Sequence, residues 1–366
     1  CGAMLNKRRM QRAWVNKYDS AIKETVRQAK QVPVLINYTM GKTRAEKKPD
    51  AFDLALIERI EESEIPYWFP TERMPEGSES RRNDPIGLTH VHHFYTKRNL
   101  WALAAFWHRL SRKQKWLLTM FLSRNVTKAN RFIHNKYNPN GRVNGPLTGT
   151  WYIPSEQIEQ SALMLFKEKR LLVGWHTFGN AISTSSANSI NIASNYVDYI
   201  FIDPPFGSNL MYSELNFLWE SWLKVLTDNK NEAIENKVQG KGIDEYRLLM
   251  TSCLKAAFHV LKPGHWITIE FSNTRASIWN NIQTALADSG FIVGNVSILD
   301  KKHAGIKAMA YPTAVKQDLV ISAYKPNGGF EERFKKEAGT QEGVWDFVRT
   351  HLGYLAVIKV SDNKLV

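Results

Sequence analysis

The chain has 366 residues, long enough for one large core plus an accessory domain or for two modest domains. Apolar residues make up 43%, which excludes a disordered chain, and no apolar run approaches the ~20 residues needed to span a bilayer. Lysine and arginine number 49 against 35 acidic residues, a formal charge of +14, so the surface attracts polyanions; two cysteines, Cys1 and Cys253, exclude a disulfide scaffold and point to a cytoplasmic protein.

The chain opens Cys1-Gly2-Ala3-Met4-Leu5. A Cys-Gly before a polar, basic stretch is how the second knuckle of a zinc ribbon ends, and equally what an arbitrary cut leaves. Residues 6–150 read as a mostly helical accessory segment. A basic helix and a short strand (Pro33 to Tyr38) are expected up to about residue 48, then an amphipathic helix over 53–64 carrying Leu54, Leu56, Ile57 and Ile60. Pro66, Pro70, Pro75 and Pro85 make 66–87 an irregular loop, with Arg81-Arg82 available to phosphate. Leu100, Leu103, Ala104, Trp107 and Leu110 recur at helical spacing, and Trp116, Leu117, Met120 and Phe121 begin a second such set. Residues 135–150, rich in Asn, Gly and Pro, read as a loop and a domain boundary.

Beyond it, residues 154–168 are expected to be helical. Short apolar runs then alternate with helices, the signature of an α/β fold with a largely parallel sheet. The runs are Val197–Ile202, His265–Phe271, Phe291–Gly294 and Asp318–Ser322, with helices expected near 212–226, 243–261 and 275–289. Residues 151–327 form this catalytic region and 328–366 a helical appendage.

The first apolar run ends in Asp203-Pro204-Pro205-Phe206. Active groups of open α/β sheets sit at the carboxyl ends of strands. The Asp side chain and the Pro204 carbonyl are two acceptors, the prolines fix φ and remove two N–H donors, and the ring at 206 is a stacking face. Such a loop suits an exocyclic amine on a base lifted out of a duplex. The same four residues also occur as a plain strand-ending turn. The helix after the loop and Leu261-Lys262-Pro263-Gly264, a helix stop before the next strand, favour the first reading.

Asp203 to Leu215 resembles the Asp-Pro-Pro-Tyr loop and following helix of a bacterial adenine-specific DNA methylase family that carries an inserted zinc ribbon. Thr89-His90-Val91-His92-His93-Phe94-Tyr95 and Thr96-Lys97-Arg98-Asn99-Leu100 resemble that family's stretch upstream of the loop. The likeness spans most of residues 1–327 and implies a Rossmann-like class I methyltransferase sheet, here its C-terminal half, with S-adenosylmethionine as donor and DNA as substrate. Asp203 and the Pro204 carbonyl would then hold adenine N6, with Pro205 stiffening the loop, Phe206 stacking, and Asn209 and Tyr212 nearby. Family members often carry Tyr at position 206, and Ser in place of Asp would suggest cytosine N4.

The glycine-rich donor loop of such enzymes is missing. Phe178-Gly179-Asn180 and Asn327-Gly328-Gly329-Phe330 are better read as turns. By the resemblance that loop lies upstream of Cys1, so the fragment is expected to bind donor weakly, and any structural zinc belongs to the parent protein. Ser186 and Asn188 in the polar stretch 182–190 are donor-contact candidates beside Asp203. Lys97, Arg98, Lys301, Lys302, His303, Lys307 and Lys316 are candidates for phosphate. His90, His92 and His93 invite a metal, but no cysteine or carboxylate lies near them in sequence, so no metal is expected. The competing readings are a cytosine-N4 or RNA methylase, and a non-catalytic DNA-binding subunit acting with a partner of a restriction-modification system.

Overall fold

The structure, a computed structural model, describes residues 11–112, 114–115, 125–135, 138–146, 149–169, 185–272, 275–300, 317–329, 340–354, 360–361 and 364–365. The Cys1-Gly2 start, the second helix from Trp116, Phe178–Asn180 and the basic residues between 301 and 316 lie outside them. The chain divides into two compact units, one of residues 1–178 with 211–227 and one of 179–210 with 228–366. No helix among the described residues is long and apolar enough to cross a membrane.

The first unit opens with a hairpin where the sequence reading expects a basic helix, and the strand expected over Pro33 to Tyr38 overlaps the first strand of a second hairpin. β1 (Trp14–Asp19) pairs antiparallel with β2 (Glu24–Ala29), and β3 (Ile36–Met40) with β4 (Thr43–Lys47). The second turn needs only Gly41-Lys42 because Gly41 takes a φ of +61°, which glycine adopts without strain. Both hairpins are largely exposed. They therefore show no apolar alternation to reveal them; cross-strand pairing and Arg27 stacked over Trp14 at 4.5 Å support β1–β2 instead.

α1 (Ala51–Glu62) starts where expected, because Asp50 accepts the Asp53 N–H and the Asp53 carboxylate accepts the Asp50 N–H, both at 3.0 Å. α2 (Lys97–Arg109) is capped by Thr96 and buries Leu100, Leu103 and Ala104. A third hairpin pairs β5 (Asn130–Asn135) with β6 (Asn138–Pro146); β6 occupies the stretch read as a loop, because its asparagines and glycines are residues that strands disfavour and so give no strand signal. α3 (Ala162–Lys169) covers only the end of the helix expected over 154–168. α4 (Tyr212–Leu223) completes the unit and buries Phe217, Leu218 and Trp222. Its core is aromatic. Trp151 and Trp222 are fully buried, and both find acceptors: Trp151 Nε1 donates to the Glu214 carbonyl at 2.9 Å and Trp222 Nε1 to the Tyr95 hydroxyl at 3.3 Å.

The second unit is α/β, as the alternation of runs and helices implies. β7 (Val197–Ile202), α5 (Ile243–Val260), β8 (Leu261–Phe271), α6 (Ala276–Asp288), β9 (Ile292–Asp300) and β10 (Gln317–Tyr324) follow in chain order. The sheet order is β7-β8-β10-β9. β7 lies parallel to β8, whereas β10 runs antiparallel to both β8 and β9. The sheet is therefore mixed and not largely parallel, because the return strand β10 inserts between β8 and β9. Ile267, Ile269 and Phe271 of β8, Ile321 and Ala323 of β10, and Ile278, Ile282, Ala285 and Leu286 of α6 form its core. Beyond the sheet, α7 (Gln341–Tyr354) is the helix expected in the C-terminal appendage.

Candidate functional site

Asp203-Pro204-Pro205-Phe206 follows β7 directly, at its carboxyl end. Two prolines stiffen the loop from within, and α5 fixes it from outside: the buried Tyr246 hydroxyl donates to the Pro205 carbonyl at 2.8 Å. Gly207 then turns the chain with a φ of +68°, and its carbonyl accepts the Glu235 N–H at 3.2 Å. Arg275 in turn donates to both Glu235 carboxylate oxygens at 3.0 and 2.9 Å. The Phe206 ring meets Phe271 of β8 edge-on, with centroids 5.3 Å apart, so its plane is set by the core.

Asp203 is exposed, and among the described residues no donor is bonded to its carboxylate or to the Pro204 carbonyl. The two acceptors that an amine would need are thus the two left open, while the Pro205 carbonyl is taken. Burial pushes the Tyr246 phenol above its ordinary range, so it stays a donor.

The other sequence candidates lie within their own units. Asn209 is exposed in the second unit, and Tyr212 is part-exposed at the start of α4 in the first. Ser186 is exposed in a turn in which its carbonyl accepts the Ser189 N–H. Asn188 reaches Asn231 at 3.4 Å. In the first unit Lys97 donates to the Glu61 carbonyl at 2.7 Å, and burial lowers its amine. Arg98 is paired with Glu159, its Nε at 2.7 Å and its terminal nitrogen closer still. Arg81 is turned inward onto Asp84 and the Met74 and Pro75 carbonyls. A cavity of about 310 Å³ in this unit is lined by Trp68, Glu72, Ser221, Lys224 and Leu226, none of them a candidate from sequence.

The histidines are another matter. His92 and His93 are buried, and both Nε2 atoms point at one oxygen, Asp19 Oδ2, at 2.7 and 2.8 Å. Burial by itself would raise the Asp19 carboxyl, but the two imidazole donors outweigh it and hold the group far below the usual carboxylate range. Burial lowers His93 to about 4, so its ring is neutral at pH 7. Asp19 was out of reach of sequence reasoning, since it lies 73 residues from His92.

No protein-family model and no curated protein matches the chain. Among solved structures it is similar to a candidate DNA modification methylase of Thermus thermophilus, with 16% identity and a TM-score of 0.22 over 42% of this chain and 56% of that one. The same protein complexed with S-adenosyl-L-methionine gives 16% identity and 0.23 over 43% and 61%. A SAM-dependent methyltransferase of Methanosarcina mazei gives 12% identity and 0.22 over 39% and 65%. The chain thus spans less than two thirds of each, and likenesses this distant say nothing of its chemistry.

Proposed function

We propose that the chain is the base-binding part of an S-adenosylmethionine-dependent DNA methyltransferase, acting on adenine N6. The observation that carries this reading is the Asp203-Pro204-Pro205-Phe206 loop, held at the carboxyl end of β7 with its Asp carboxylate and Pro204 carbonyl open. The strand order β7-β8-β10-β9, with the final strand antiparallel inside the edge, is that of the C-terminal half of a class I methyltransferase sheet and supports it. So does the charge of +14.

An exocyclic amine is a poor nucleophile because its lone pair is delocalised into the ring. Acceptance of its two hydrogens by Asp203 and the Pro204 carbonyl draws the nitrogen toward a tetrahedral shape, in which the lone pair is available. Phe206, with its plane set by Phe271, offers the face on which the flipped base stacks, worth ~1–3 kcal/mol. S-adenosylmethionine would supply the methyl group. The described residues do not build its site: they hold no glycine-rich loop between a strand and a helix, and Ser186 and Asn188 are surface turn residues. Accordingly, only the acceptor side is assigned to this chain's own residues.

Transfer of labelled methyl from S-adenosylmethionine to unmethylated duplex DNA by the full-length protein tests this. Label is expected in N6-methyladenine and is expected to fall about 100-fold or more in Asp203→Ala, the scale of losing one preorganised polar contact to the reacting centre. Label on cytosine N4 or on RNA would move the substrate and keep the loop. DNA binding without any label would favour a non-catalytic DNA-binding subunit.

A further inference from the structure

The first unit gathers a set of ligating side chains that methyl transfer does not use. Asp19 ends β1, and His92 and His93 sit side by side in the 3₁₀ turn Val91–Phe94. One oxygen of Asp19 and the two Nε2 atoms lie within 4.8 Å of one another. The His92 and His93 side chains are 8% and 3% exposed and that of Asp19 16%. The second Asp19 oxygen is occupied by the Ala21 N–H at 3.0 Å, which fixes the carboxylate's orientation. We propose that Asp19, His92 and His93 bind a divalent transition-metal ion, zinc foremost, that clips the β1–β2 hairpin to the core of its unit.

Two imidazoles and a carboxylate are a ligand set for such ions, with an open position left for water on the part-exposed Asp19 side. Zinc bonds of about 2.0–2.2 Å place tetrahedral ligand atoms roughly 3.3 Å apart. The 2.7 and 2.8 Å separations therefore need to open by about half an ångström, within reach of side-chain rotation. Ligation through Nε2 also moves each ring proton to Nδ1. For His93 the Thr89 hydroxyl, 3.5 Å from Nδ1, accepts it after a small turn of the ring away from the Thr89 and His90 N–H groups at 3.2 and 3.3 Å. His92 Nδ1 is buried without a partner among the described residues in either state.

The hairpin has a use for such a clip. Its strands are mostly exposed, and its ties to the rest of the unit include one Gln28–Gly87 hydrogen bond at 3.1 Å and a Lys17–Glu61 ion pair. Little apolar burial holds it down, which is the situation in which small elements recruit metal.

Titration of the chelator-stripped chain with Co²⁺, followed by its visible ligand-field bands and by calorimetry with Zn²⁺ in competition, tests this without reference to activity. One Co²⁺ per chain, displaced by Zn²⁺, is expected, with affinity lost in Asp19→Asn and His93→Gln. Chelator should lower the Tm of the unsubstituted chain and leave that of Asp19→Asn unmoved. Absence of bound Co²⁺ on a folded chain, or equal binding by Asp19→Asn, overturns the proposal in favour of a purely hydrogen-bonded trio. If the ligand variants do not fold, Thr89→Val decides, since it keeps all three ligands: a loss of about 10–100-fold in affinity supports the site, and unchanged affinity overturns it.

Discussion

Tyr246 shows how one side chain outside a sequence motif conditions it. Its hydroxyl holds the Pro205 carbonyl, so Tyr246→Phe removes the donor and leaves a part-buried carbonyl unpaired. A loss of about 1 kcal/mol is expected in denaturant unfolding, and in the transfer assay a lower kcat with DNA affinity kept. The pH dependence has a defined sign. Burial raises the phenol in the folded chain above its unfolded value near 10. Its contribution is therefore present below about pH 10 and lost above it, as the unfolded chain ionises first; Tyr246→Phe should flatten that part of the stability profile. The loop itself was legible from four adjacent residues because two prolines and an acid are a local signal. Tyr246 was not, since on an amphipathic helix it is indistinguishable from a core aromatic. Asp19 was equally hidden, because only the hairpin brings it to the histidines.

At the scale of elements, two buried polar contacts decide how segments join. Glu214 of α4 is fully buried, and one of its carboxylate oxygens accepts the Ser80 N–H at 2.6 Å. A Cβ on Gly77 would lie 2.0 Å from the Glu214 carboxyl carbon. Gly77→Ala must push that carboxylate off its donor, and a loss of about 1–3 kcal/mol in the first unit is expected from its chemical denaturation midpoint. In the second unit Lys325 follows β10 and donates to Asn195 Oδ1 and the Phe258 and Leu261 carbonyls at 2.7, 2.7 and 2.9 Å. Lys325→Met strands three acceptors and should cost about 1–3 kcal/mol on the same measurement. The helices and strands of this second unit could be read from the sequence because the strands are short apolar runs set between helical stretches, and those of β8 and β10 supply the core. The first N-terminal hairpin could not: with both faces mostly in water, Trp14, Val15 and Tyr18 are exposed and mark no core face.

For the molecule as a whole, the sequence conveys the charge and the α/β half but conceals the division into units. α4 follows closely on the Asp203 loop, so nothing local marks that 211–227 returns to the first unit while 203–210 stays with the second. The signal lies in what α4 buries: Leu218 and Trp222 belong to the core built on Phe94, Leu103 and Trp151. Ile267, Ile269 and Ile321 belong to a separate core. Two cores in one chain need not melt together. Calorimetric unfolding is expected to show two transitions, with Gly77→Ala lowering one and Lys325→Met the other. A single transition that both substitutions lower would mean that the cores unfold as one cooperative body. In that case a destabilised first unit would also release the Asp203 loop, and Gly77→Ala would reduce the proposed methyl transfer at temperatures where the unsubstituted protein still shows it.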